Sequence, residues 1–224
     1  MNQKTPHSKL TNEIIAQYLI AEFEALHQRA QAHEGIIIAR TNFFIALTTA
    51  VFGGFLLFLR EYDRDWTLLS VIVIISLLFL LAIGWTIFTQ SIDSKASIAI
   101  YYRRAGRIRQ WFIDNAPNIE IYLPFAPTDA RPLLYVPWAP LRHLNTSVVS
   151  INAGLLAILS SYILFVLLKE RLPTRSLLLL VSGFGASIFI FAFYLQFKFY
   201  KDRLLAKESD EQEKGTVHFP IDLD

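Results

Sequence analysis

Residues 66–89 read WTLLSVIVIISLLFLLAIGWTIFT, twenty-four consecutive positions without an Asp, Glu, Lys, Arg or His. At 1.5 Å per residue a helix of that length covers about 36 Å, more than the roughly 30 Å of a bilayer's hydrocarbon core. Lipid offers the backbone no hydrogen-bond partner, so a continuous apolar run of this kind crosses as a helix. Trp66 and Trp85 near its ends suit the membrane–water interfaces, where indole rings concentrate. Three further runs share the character: residues 41–59, 148–168 and 176–195, none with an Asp, Glu, Lys, Arg or His. The shortest, at nineteen residues, gives about 28 Å, just enough to cross. A charged turn over 60–65 and a second over 169–175, containing Pro173, close the runs into pairs. The expected fold is all-α: a polytopic membrane protein with four transmembrane helices as two hairpins and a small helical cytosolic cap.

Composition agrees with that reading. Of 224 residues 54% are hydrophobic, and they come in blocks, which overrides the usual expectation of one or two soluble domains for this length. The chain has no Cys, which excludes disulfides, thiolate metal sites and cysteine nucleophiles. The first 30 residues hold no apolar core followed by a cleavage site, so the first span is expected to act as its own targeting signal. Divided accordingly, the chain gives a cytosolic amphipathic helix (1–40), hairpin 1 (41–90), a cytosolic connector (91–147), hairpin 2 (148–196) and a cytosolic helical extension and tail (197–224).

Net charge is only +2, but its distribution is informative. With both termini inside, the inner segments hold 16 of the 21 Lys and Arg residues and the outer turns hold 5. The positive-inside rule therefore favours an inner (cell) membrane location with N- and C-termini cytoplasmic.

The amphipathic helix begins near Thr11, a suitable N-cap. Ile15, Tyr18, Leu19, Phe23, Leu26 and Ala30 share one side at ~100° per residue, and Gly35 permits a bend. In the first span Asn42, Ala46, Thr49 and Gly53 follow a 4-3-4 spacing and form a small, polar stripe. Their expected role is pore lining, against ordinary helix packing as the alternative. Gly53-Gly54 allows a kink or close approach. Small residues recur in the second hairpin at Ser150, Ala153, Ala157 and Ser161, and at Ser182, Gly183, Ala186 and Ser187.

The connector opens with a helix expected to end near Asp114, because Asn115-Ala-Pro117 disfavours its continuation. Six prolines between 117 and 140 then make an irregular wrap. On the helix, Ile100, Tyr101, Ile108, Trp111 and Phe112 fall within ~60° of Ser97, and Arg104 lies in the middle of that face. Arg104 is therefore expected in a structural ion pair, with Glu120, Asp129 or a carboxylate of the N-terminal helix, since an unpaired buried charge is costly. Arg103 and Arg107 on one flank, Arg109 and Tyr102 on the other, and Arg131 further along form the candidate ligand-binding set. Guanidinium forks suit phosphates, and aromatic rings stack bases. The same arginines also suit lipid phosphates, and a protein partner is a third use.

Other chemistry finds little support. Spans without Asp, Glu, Lys, Arg or His argue against ion-coupled transporters and proton pumps. His7, His27, His33, His143 and His218 show no metal-ligand spacing, and no G-x-S-x-G, Walker or dinucleotide-binding signature occurs. No catalytic residue, metal or cofactor is expected, and the chain is read as not an enzyme.

The helix over 13–40 running into Thr-Asn-Phe-Phe at 41–44, with the post-membrane helix Ile100-Tyr-Tyr-Arg-Arg-Ala-Gly-Arg-Ile-Arg, resembles small bacterial membrane effectors of antiphage signalling systems, of the SLATT-type or Hailong-type channel kind. The likeness is one of layout over about 100 residues. It implies a homo-oligomer in the lipid bilayer whose cytosolic part senses an anionic nucleotide or oligonucleotide while the membrane part forms a ligand-gated pore or ion channel. The alternative is a non-conducting membrane scaffold or accessory subunit that recruits a soluble signalling partner.

Overall fold

A computed structural model describes residues 6–61, 66–116, 118, 132–135 and 145–213. They form four helices: α1 (Pro6–Glu61), α2 (Trp66–Asn115), α3 (Asn145–Leu168) and α4 (Thr174–Glu213). No strand occurs among the described residues. Each helix contains a stretch long and apolar enough to cross a membrane, so the chain is an all-α polytopic membrane protein.

Continuity follows from the sequence. α1 has no proline after its first residue, and Gly35 and Gly53-Gly54 lie within it without interrupting it. α2 carries the apolar run straight into the Arg-bearing segment and stops at Asn115. There the N–H of Ala116 donates to Phe112 O at 2.8 Å and Ile113 O at 3.2 Å, while Asn115 Nδ2 donates to Trp111 O at 2.8 Å. These bonds satisfy carbonyls that the helix end leaves open, and Pro117 blocks further turns. α3 and α4 are joined by a tight turn in which Arg171 N donates to Leu168 O at 2.9 Å and Leu177 N to Pro173 O at 3.0 Å.

The chain divides into two compact units. The first comprises residues 1–36, 93–136 and 204–224, and the second residues 37–92 and 137–203. The second contains all four apolar runs. Its interior includes Phe44, Leu77, Leu80, Phe88, Val148, Ala153 and Leu155, all nearly inaccessible. Small residues allow this packing, as they do between membrane helices generally. A Cβ on Gly84 would overlap Asn152 Oδ1 and stand 2.6 Å from Phe44 Cζ, and one on Gly185 would overlap Ser161 Oγ. Tyr162 Oη donates to Ser70 Oγ, a short bond linking α3 to α2.

The small residues of the second hairpin split into two sets. Ala153 and Ala157 are buried, whereas Ser182, Gly183, Ala186 and Ser187 on α4 are exposed and nothing lies within 4 Å of a Cβ at Gly183. Within the chain, α4 approaches α3 through Gly185 instead. Only 11% of the most apolar window of α4 and 17% of that of α1 are buried, so most of their apolar surface faces outward.

Replacing Gly84 by Leu is expected to lower thermal stability in detergent by about 1–3 kcal/mol through overpacking against Asn152 and Phe44. Gly183→Leu, in open space, should leave monomer stability within about 0.5 kcal/mol. Equal melting temperatures for the two variants would contradict the assignment of the packed and open glycines.

Candidate functional site

The first unit is organised by α2. Tyr101, Ala105, Ile108 and Phe112 form one seam, with Ala105 and Ile108 joining Leu26 of α1 in a buried cluster that Leu19 and Phe23 flank. A second seam runs through Ala96, Ala99, Arg103 and Gly106, all buried. At ~100° per residue the two seams lie roughly opposite each other.

This second seam moves the structural ion pair. Arg103, expected among the accessible ligand-binding arginines, is 4% exposed and pairs through Nη2 with Glu208 Oε1 of α4 at 2.5 Å. Its Nε donates to Pro132 O at 3.1 Å, and Glu208 Oε2 accepts the N–H of Leu134 at 3.1 Å. Arg104, expected to be the paired anchor, is exposed. The physical reason is the alanine–glycine seam: small residues carry little hydrophobic weight, yet they admit a close neighbour, and the charged pair follows the packing. Glu120 and Asp129, the other expected partners of Arg104, lie outside the described residues, as does Arg131.

The remaining candidates occupy two flanks. Arg109 and Tyr102 lie together beside α1. The Arg109 guanidinium stands 5.3 Å from the Phe23 ring centroid, a cation–π distance. Tyr102 meets His27 edge-on at 5.7 Å, and His27 packs against Phe23 with centroids 4.4 Å apart and the rings tilted by 41°. Partial burial, then the charge of Glu34, raise the Tyr102 hydroxyl above the usual tyrosine range, so it remains a neutral hydrogen-bonding group at physiological pH. Arg107 is half-buried on the opposite flank. One chain therefore brings Arg109 and Tyr102 together but keeps Arg107 apart from them.

Two groups escaped the sequence reading. Glu208 stands in the acidic stretch 208–213, whose composition suits a solvated tail, and its separation of 105 residues from Arg103 leaves no local signal. Lys95 is half-buried, and burial lowers its ammonium to about 8. On the same unit, Lys207 Nζ pairs with Asp93 Oδ1 at 2.8 Å.

In the second unit Asn42, Ala46, Thr49 and Gly53 are all exposed on α1. Thr49 Oγ1 donates to Ile45 O at 2.9 Å, and nothing lies within 4 Å of a Cβ at Gly53. The four residues share an uncovered face.

No protein family, curated protein or solved structure matches this chain. The architecture by itself is that of a small polytopic membrane protein.

Removing one partner of a buried ion pair strands the other, at about 3–5 kcal/mol. Arg103→Met and Glu208→Leu should each destabilise the protein by about that amount, and the double variant by less than the sum, in thermal melts of the detergent-solubilised chain. Arg104→Ala should change stability by less than about 0.5 kcal/mol; a large loss would return the anchor to Arg104. Lys95 supplies a pH test. Its folded value, about 8, lies below the ordinary 10.5, so the cost of burying its charge is full below pH ~8 and falls away as pH rises towards ~10.5. Lys95→Met should melt higher than wild type at neutral pH, and the gap should narrow between those limits.

Proposed function

We propose that the chain is an oligomeric membrane effector that forms a ligand-gated pore or ion channel, with the Arg/aromatic region of α2 sensing an anionic nucleotide or oligonucleotide. The observation that carries this reading is the uncovered stripe Asn42–Ala46–Thr49–Gly53 on a span without ionisable groups. Lipid gives the Asn42 amide no partner, whereas a second copy gives the small residues close packing and an aqueous axis gives the amide hydrogen bonds. Pores lined by small and hydroxyl residues conduct without intramembrane charge. The layout likeness to SLATT-type or Hailong-type antiphage effectors points the same way.

On the sensing side, Arg109 and Tyr102 supply a guanidinium and a neutral phenol beside the Phe23–His27 ring pair. Arg107 of one protomer would complete the set only across a subunit contact, or serve a second ligand contact. The 16-to-5 distribution of Lys and Arg supports an inner-membrane protein with both termini cytoplasmic, which exposes the sensing region to cytosolic ligands.

A non-conducting membrane scaffold or accessory subunit, recruiting a soluble signalling partner, is the second reading. One observation favours it: Arg103 is consumed by Glu208 and the remaining cations are split between flanks.

Reconstitution into dye-loaded liposomes with candidate cyclic nucleotides and short oligonucleotides tests the choice. The expected result is ligand-dependent dye release, with Arg109→Ala raising the ligand concentration required about tenfold, the worth of one charge-assisted bond. Asn42→Leu with Thr49→Leu should reduce conductance while assembly is preserved. A folded oligomer that releases no dye under any of these ligands would leave the scaffold reading in its place.

A further inference from the structure

A groove of about 420 Å³ runs between α1 and α2 within the second unit. Arg40 and Phe43 of α1 form one wall. The other is a single face of α2, repeating at i, i+3, i+4, i+7, i+8 and i+11 from Phe79 to Gln90.

The groove is graded with depth. Arg40 immediately precedes the apolar run 41–59 and Gln90 immediately follows the run 66–89. The two therefore stand at the same membrane surface, where the first span of the hairpin begins and the second ends. From Gln90 to Phe79 is eleven residues, ~16 Å of helix, about half of a hydrocarbon core of roughly 30 Å. The groove thus reaches from headgroup level to the bilayer midplane, the depth that an acyl chain of one leaflet occupies. Phe43 and Phe79, 59% and 58% exposed, flank its apolar part and face outward into lipid.

The mouth holds a cation that the chain does not neutralise. Arg40 is half-buried, and among the described residues neither it nor Gln90 makes a hydrogen bond or an ion pair. Thr86, on the same face of α2, spends its hydroxyl on Ala82 O at 2.9 Å. Among the described residues no carboxylate lines the groove, and Asp93, the next along α2, is paired with Lys207 at 2.8 Å. A guanidinium presents a planar fork that a phosphate meets with two hydrogen bonds. A zwitterionic headgroup would bring an ammonium that nothing here receives, whereas a glycerol headgroup brings hydroxyls suited to the Gln90 amide. We propose that the groove binds an anionic phospholipid of the phosphatidylglycerol class, with phosphate on Arg40, glycerol hydroxyls on Gln90, and one acyl chain along Ile83, Ala82 and Phe79 against Phe43. A lipid so placed bridges α1 to α2 at the surface end of the first hairpin. The cavity that borders α4 differs in the decisive respect, because its lining includes both Lys198 and Asp202, one charge of each sign.

Native mass spectrometry of the full-length protein, released from detergent, reads the site directly. With phosphatidylglycerol and phosphatidylethanolamine of identical acyl chains at equal concentration, one phosphatidylglycerol per protomer should be retained, at about tenfold preference. Arg40→Gln should abolish that preference. Ala82→Phe, at an exposed position, should fill the groove and weaken retention of both lipids several-fold. Lys198→Gln removes the same charge elsewhere and should leave the preference unchanged. Glycerol 3-phosphate, a headgroup without chains, should not displace the lipid. Equal retention of the two lipids by the wild type, undiminished retention in Ala82→Phe, equal losses of preference in Lys198→Gln and Arg40→Gln, or displacement by glycerol 3-phosphate would each overturn the proposal. The wild-type comparison and Ala82→Phe test the site even if Arg40→Gln fails to fold.

Discussion

A guanidinium cannot be withdrawn from water without a carboxylate to meet it, and in this chain the requirement fixes the first unit. Arg103 and Glu208 are 105 residues apart, yet their pair closes α2 onto α4. Glu208 spends its second oxygen on the backbone of Leu134, and Arg103 spends Nε on the carbonyl of Pro132. Two side chains thereby hold two helices and a stretch of the proline-rich connector. The desolvation of such a pair is recovered only when its remaining hydrogen bonds are made. Among the described residues Arg103 Nη1 has no hydrogen-bond partner, so within them the arrangement is one bond short of complete.

The second unit is held by different means, although α1, α2 and α4 contribute to both. Its hydroxyls mostly bond back into their own helices: Thr49 to Ile45 O, Thr86 to Ala82 O, Ser91 to Ile87 O and Ser187 to Gly183 O. That is the economical solution where lipid offers nothing. Between helices the links are close packing at Gly84 and Gly185 and a few neutral hydrogen bonds, the means by which membrane helices associate.

How much of this the residues announce depends on the range of the interaction. The four spans, the run of α2 to about Asn115 and the continuation of α4 beyond its span follow from local hydrophobicity and helix-ending chemistry, and were legible; that α4 runs on through the acidic stretch to Glu213 was not. The faces of α2 were not. Weighing hydrophobicity alone picks out Tyr101, Ile108 and Phe112 and turns Arg104 inward. The Ala96–Ala99–Gly106 seam is nearly silent on that scale, yet it is the one that carries Arg103. Glu208 was illegible because a carboxylate in an acidic tail looks solvated until its partner is known. Asn152 was hidden among span residues of low polarity; its signal, an amide opposite the buried Gly84, exists only in three dimensions.

The glycines and small residues of the spans fall into two populations, and the difference carries an argument about assembly. Gly84, Gly185, Ala153 and Ala157 are consumed by contacts within the chain. Gly53, Gly54 and Gly183 meet nothing within 4 Å, and Ala46, Ser182, Ala186 and Ser187 are exposed beside them. Helix association in lipid draws little from the hydrophobic effect, because acyl chains are as apolar as leucine, and depends on how closely backbones can approach. A small residue facing lipid gains nothing there and costs helix stability if it is glycine, about 1 kcal/mol against alanine. Two such faces, one on α1 and one on α4, are what supports the homo-oligomer of the proposed function. Were the α1 face of one protomer to meet the α4 face of the next in the proposed oligomer, the contact would join different surfaces and repeat head to tail into a ring when its rotation closes. A ring is the arrangement that encloses an axis, which is what a pore requires.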